Sequence, residues 1–377
     1  MNEVQENGLD WAIDTLFARV AEPDPPIYFD FDEDPNVPEG ETWVNTQPSN
    51  GAINARRRSL TAWMMGNMVR SSLHIKEKMV LFWHEHFPVA DVATGIFGYK
   101  YNQILRRNAL GNFRTLLQEM TISDAMLLYL NGNENTREAP NENYARELLE
   151  LFTVGRGALA GPGDYTTFTE QDVEAMARAL TGWQISRRLD LNEGARFTAN
   201  RHDNGDKILS HRFDNAVVPD KGAEEYQEVI NLILSKKETG YHLARQLHIW
   251  FVSAEIDETI EETIIRPLGE QIWADDYEVT PALMTLLRSE YFYEVTHRGC
   301  IISSPIDIIM KSIKPLKFQT PATLVGEYSL WSRLFSFAAG LQMELMNLPE
   351  VAGWKAYYQE PQYSCLLYTS PSPRDRG

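Results

Sequence analysis

The chain has 377 residues, 43% hydrophobic and 23% charged, with a net charge of −18; this is the composition of a core-forming globular protein of one large or two moderate domains. No apolar run approaches the roughly 18 residues of a bilayer-spanning helix, and no basic region followed by an apolar core is present to act as a secretory signal. A nucleic-acid role is excluded by charge, because phosphate contacts need a basic footprint and Arg56-Arg57-Arg58 is a short cluster in an acidic protein.

Residues 1–50 carry 12 acids and one base, and residues 51–120 carry 10 bases and four acids. The basic segment therefore has the charge to dock against the acidic one. The two cysteines, Cys300 and Cys365, are too few for a disulfide framework and lack metal-ligand spacing.

Residues 1–21 predict an incomplete N-terminal helix with Leu9, Ile13, Leu16, Phe17 and Val20 on its apolar face. Residues 22–53 form an acidic, proline-rich loop from which no core is expected. From 54 to 87 the spacing predicts two helices meeting near Ser71-Ser72, the second carrying Ile75, Met79, Phe82 and His86 on one stripe. Residues 99–130 give shorter helices, with Ser123 placed to cap Asp124–Leu130.

The stretch from Pro140 to Gly155 reads as one helix. Asn141 is a good N-cap and Gly155 suits a left-handed C-terminal position. Tyr144, Ala145, Leu148, Leu149, Leu151 and Phe152 fall on one side, and Glu142, Asn143, Arg146, Glu147 and Glu150 on the other. That polar face reads either as a solvated surface laced with ion pairs or as one wall of a site.

Thr169-Glu170-Gln171-Asp172 has the form of a capping box opening a helix with Val173, Met176, Ala177 and Leu180. Asn204-Gly205, between Phe197–Asn200 and Ile208-Leu209, predicts a tight hairpin. Helical spacing then returns over 222–235, 239–253, 258–273, 280–292, 304–314 and 327–347. The expected fold is mainly α: a single multi-helix domain over 54–354 with one small β-hairpin near residues 197–209, followed by a disordered or foreign tail over 355–377.

Chemistry-bearing residues are few. His84 and His86 form an H-x-H pair about 200° apart on an ideal helix, unable to share one metal from one face unless Pro88 frays the last turn; a core histidine is the alternative. His202-Asp203 is similar to the dyad of metal-dependent phosphohydrolases, but that dyad sits on helices among further ligands, so the match is rejected. Asp203 is expected to bond its own turn or to orient His202. Arg178, His242 and His248 read as structural. No dinucleotide, P-loop, H-E-x-x-H or G-x-S-x-G motif is present.

Lys78–Phe87, Ala109–Arg114, Asn141–Gly155, Asp172-Val173, Ala177–Trp183, His202-Asp203 with Lys207, and Leu348–Trp354 together resemble a bacterial family known only as domain of unknown function 1800. The resemblance covers about residues 9–354. It implies a mostly helical, commonly exported protein, often encoded beside a second exported family, and assigns no reaction. Members usually have an export signal and an upstream helix that are not seen before Leu9, and the stretch from Ser364 to Gly377 reads as foreign sequence joined to an environmental fragment.

Two expectations follow. The first is an enzyme-like protein with a polar site, in which Glu142, Arg146, Glu147, His202 and Asp203 would be catalytic. His84 and His86 would hold a divalent zinc, manganese or iron ion for hydrolysis. The second is a non-catalytic surface or periplasmic assembly factor that binds a co-encoded exported protein, with residues 22–50 as its interaction arm.

Overall fold

The computed structural model describes residues 2–29, 34–92, 94–316 and 320–354; the expected tail over 355–377 lies outside them. The described chain is helical, with two small antiparallel sheets, and none of its helices is long and apolar enough to cross a membrane. It divides into two compact units, where the sequence suggests one helical domain. Unit 1 comprises Met1–Ala18, Tyr101–Ser186 and Gly194–Ile301, and unit 2 comprises Arg19–Lys100, Arg187–Glu193 and Ile302–Gly377. Composition does not mark the crossings, because both units are built from amphipathic helices.

The helices follow the expected spacing closely. They are α1 (Asn2–Leu16), α2 (Ala52–Arg70), α3 (Lys76–His86), α4 (Gly95–Asn108), α5 (Phe113–Thr121), α6 (Asp124–Tyr129), α7 (Asn143–Glu147) and α8 (Glu170–Ala179). After these come α9 (Glu225–Leu234), α10 (Lys237–Phe251), α11 (Glu258–Ile260), α12 (Arg266–Ala274), α13 (Val279–Arg288), α14 (Pro305–Ile313) and α15 (Leu324–Gly340). Helix α2 stops at Ser71, Ser123 caps α6, and the Thr169–Asp172 capping box of α8 is complete in both directions.

The acidic loop departs from expectation. Ile27, Tyr28, Phe29, Val37, Trp43 and Val44 are all buried, so the segment does supply core, in unit 2. Averaged composition hid these six apolar residues among the acids. Charge docking also occurs there: Arg56 forks onto the buried Asp34 carboxylate, with Nε–Oδ2 2.7 Å and Nη2–Oδ2 2.6 Å, and donates to the Trp43 carbonyl.

The β signal resolves differently too. Phe197 pairs with Trp183 and Arg196 with Gln184, forming β1–β2. Lys207 pairs with Val218 and Ile208 with Val217, forming β3–β4. The two flanks of Asn204-Gly205 thus join different partners, separated by a 3₁₀ turn over Ala199–Arg201.

In unit 1, α10 and α12 pack through a glycine contact. A Cβ on Gly240 would lie 2.3 Å from the Gly269 carbonyl oxygen, so only glycine there lets the two backbones touch. This approach sets Tyr241, His242 and Arg245 of α10 beside Arg266 at the start of α12.

Candidate functional site

The signature helix begins at Asn143 with Glu142 at the N-cap position, one residue later than the expected Asn141 cap. The Asn141 side chain accepts the Asn143 N–H at 2.9 Å, and Tyr144, Ala145, Leu148, Leu149 and Phe152 are buried. On the polar face, Arg146 forks onto Glu170 at 2.8 and 2.7 Å and reaches Glu142 at 2.9 Å, while the Tyr165 hydroxyl donates to Glu170 at 2.8 Å. The Arg146 hydrogen bonds hold the Glu170 carboxyl below its usual range. Burial, reinforced by the neighbouring Glu150, pushes Glu147 upward.

The helix does not run regularly to Gly155. After Glu147 it widens into a π turn over Leu148–Phe152, the kind of irregularity that proteins concentrate at functional places. His242 donates Nε2–H to the Leu151 carbonyl at 2.8 Å, and Thr153 Oγ1 donates to the Leu148 carbonyl at 2.6 Å. Burial lowers His242 to about 4, leaving a neutral ring at pH 7. Gly155 takes φ +73°, and a Cβ there would stand 2.9 Å from His242 Nδ1. We therefore expect Gly155→Ala to cost about 1–3 kcal/mol from the backbone conformation alone, read as a lower urea midpoint.

His202 and Asp203 sit at the other end of α8. Glu170, the Arg146 partner, and Arg178, the Asp203 partner, are eight residues apart along it, about 12 Å of rise. Arg178 binds Asp203 bidentately, with Nε–Oδ2 2.8 Å and Nη2–Oδ1 3.1 Å. Asp203 also accepts the Gly205 N–H at 2.9 Å, the expected turn bond. Arg178, read from the sequence as structural, proves to be this carboxylate's clamp.

The carboxylate that orients His202 is Glu225, at the start of α9. His202 Nε2 lies 2.8 Å from Glu225 Oε1, and Nδ1 lies 2.9 Å from the Thr181 carbonyl oxygen. With an acceptor at each nitrogen, the ring is arranged to carry both protons. The buried Lys207 ammonium lies 2.6 Å from Glu225 Oε2, and the Lys221 N–H donates to Oε1 at 3.0 Å. Asp220 stands 3.9 Å from His202 Nε2. Phe197 packs edge-on against the imidazole, and Trp183 packs against Phe197 and Tyr226. The pKa of His202 is shifted by opposed effects: burial, the largest, lowers it, while the bonds to Glu225 and Thr181 outweigh burial and raise it.

His84 and His86 belong to unit 2. His84 Nε2 accepts the Met346 N–H at 3.1 Å and the ring packs edge-on against Trp354; burial lowers its pKa to about 3. A nitrogen lone pair used this way is not offered to a metal. His86 lies among the rings of Phe82, Trp83 and Phe87. Between them, Glu85 is raised to about 8 by burial, against the opposing pull of Lys78 and a Trp354 backbone bond.

The predicted site residues thus fall in separate places: Glu142, Arg146 and Glu147 on the signature helix, His202 and Asp203 with Arg178, and the two unit 2 histidines. Asp220 and Glu225 were missed, since nothing in their local spacing marks them. Lys207 belonged to the resembling segments but had no assigned role. His202, Asp220 and Glu225 form a cluster that could hold a metal ion.

A family model described as "Protein of unknown function (DUF1800)" matches residues 1–364. No curated protein and no solved structure matches the chain.

Proposed function

The chain belongs to this family of unknown function, and within it we propose a metal-assisted hydrolytic centre at His202, Asp220 and Glu225. One observation carries the reading: an imidazole nitrogen and two carboxylate oxygens lie within 4.8 Å of one another, with Asp220 exposed and the other two buried. One imidazole and two carboxylates suit zinc, manganese or iron and leave coordination positions for water, which a bound cation activates as a nucleophile. His202, Asp220 and Glu225 would hold the cation, which would compete with the proton on His202, while Lys207 lies against the other Glu225 oxygen. Binding is therefore linked to pH and weakens as His202 is protonated.

Asp220→Ala tests this cleanly, because Asp220 is exposed and is not needed for the buried core. After incubation with zinc or manganese at about pH 8, elemental analysis should find one equivalent in the wild-type protein and little in Asp220→Ala, with the melting temperatures of the metal-free proteins alike. Wild-type protein that takes up no metal would reduce the centre to an internal ion network.

A further inference from the structure

We propose that a cleft beside the π turn binds a phosphorylated small molecule, independently of the His202 centre. The cleft has a volume of about 500 Å³ and lies within unit 1. Arg156, Arg245 and Arg266 line it with a single carboxylate, Glu238. Three guanidinium groups thus line one opening against one lining carboxylate, an arrangement with donors to offer an anion.

Each arginine is braced before any ligand arrives. Arg156 lies over the Tyr165 ring at 4.5 Å and reaches Glu150 at 3.3 Å. Arg245 Nε donates to Glu261 Oε2 at 2.8 Å. Arg266 lies over Tyr241 at 5.2 Å and reaches Glu262 at 3.0 Å. Glu150, Glu261 and Glu262 are not among the residues that line the cleft, so the carboxylates hold the arginines from outside it. A guanidinium already held loses little freedom on binding.

The ligand class follows from donor count and size. The Arg245 fork is held by Glu261, and the remaining guanidinium N–H donors of the three arginines suit a phosphoryl group, with three oxygens and close to two charges, better than a carboxylate with two oxygens and one charge. A cleft of this size is within the range of small-molecule sites, so the ligand carries an organic body beyond the phosphoryl group. His242 is fixed in the cleft wall by its Nε2–H bond to the Leu151 carbonyl. Gly155, without a side chain, leaves the wall beside it open.

Calorimetric titration of the full chain with AMP, glycerol 3-phosphate, inorganic phosphate and citrate tests the proposal. At least one organic phosphate should bind saturably, more tightly than inorganic phosphate or citrate, with affinity that falls as salt rises. Arg156→Gln and Arg266→Gln should each weaken that binding about tenfold or more. The two arginines are exposed and on separate elements, so a folding failure in one variant leaves the other informative. No saturable binding by either organic phosphate, tighter binding of citrate, or equal affinity in both variants would overturn it.

Discussion

Glu225→Ala should destabilise unit 1 by about 3–5 kcal/mol, the usual cost of removing one member of a buried ion pair and leaving the other charged and unpaired. Glu225 has no exposed surface and neither has Lys207. The carboxylate is approached by the His202 ring, the Lys207 ammonium and the Lys221 N–H. Truncation strands two cationic side chains and one amide together. Lys207→Met alone should cost less, because Glu225 keeps the His202 ring and the Lys221 N–H opposite it. The double variant Lys207→Met/Glu225→Leu should cost clearly less than the two single losses added, since the Lys207 and Glu225 charges leave together and His202 is the one member of the network whose partner is gone. Urea unfolding monitored by tryptophan fluorescence reads all three. A Glu225→Ala loss below about 1 kcal/mol would mean that the network is held open to water and does not brace the fold.

The placement of these groups shows where the sequence stops being legible. The Asn141 bond to the Asn143 N–H, the buried stripe from Tyr144 to Phe152 and the left-handed Gly155 are local, and local chemistry gives them away. The π turn is not local: its Leu151 carbonyl is satisfied by His242, 91 residues away, which no window around the helix contains. The same holds at the site. His202 and Asp203 stand out as a polar pair, yet the ring is oriented by Glu225 and not by its neighbour, while Asp203 is taken by Arg178. The Asn204-Gly205 turn signal is outvoted, because Phe197 finds Trp183 and Lys207 finds Val218. Long-range pairing of strands only two residues long depends on which helices they lie against, and two-residue periodicity carries almost none of that.

Stability of the metal-free protein should fall as pH rises above about 6.5, the unperturbed histidine value. His202 has its folded pKa raised above that value, because Glu225 and Thr181 together outweigh burial and the repulsion of Lys207. The folded state therefore holds more protons than the unfolded chain between the two pKa values, and the free energy of unfolding declines with pH there. The stabilisation is fully present below the unfolded pKa and is lost as pH passes through the folded one. Glu85 acts in the same direction: raised from 4.5 to about 8 by burial, it favours the folded state most below 4.5 and loses that advantage on the way to about 8. The buried neutral histidines do the reverse and do it lower. His84 and His242, at about 3 and about 4, destabilise the fold only as pH drops below the unfolded histidine value, so above it they contribute no slope. In that upper window His202 and Glu85 both drive the decline, each limited to about 1.4 kcal/mol per pH unit. Urea midpoints taken from pH 6 to 9 on wild type, His202→Gln and Glu85→Gln separate the two. Each variant should flatten part of the slope, and a slope unchanged in His202→Gln would show that the ring is neutral in the folded protein and that Glu225 is answered by Lys207 alone.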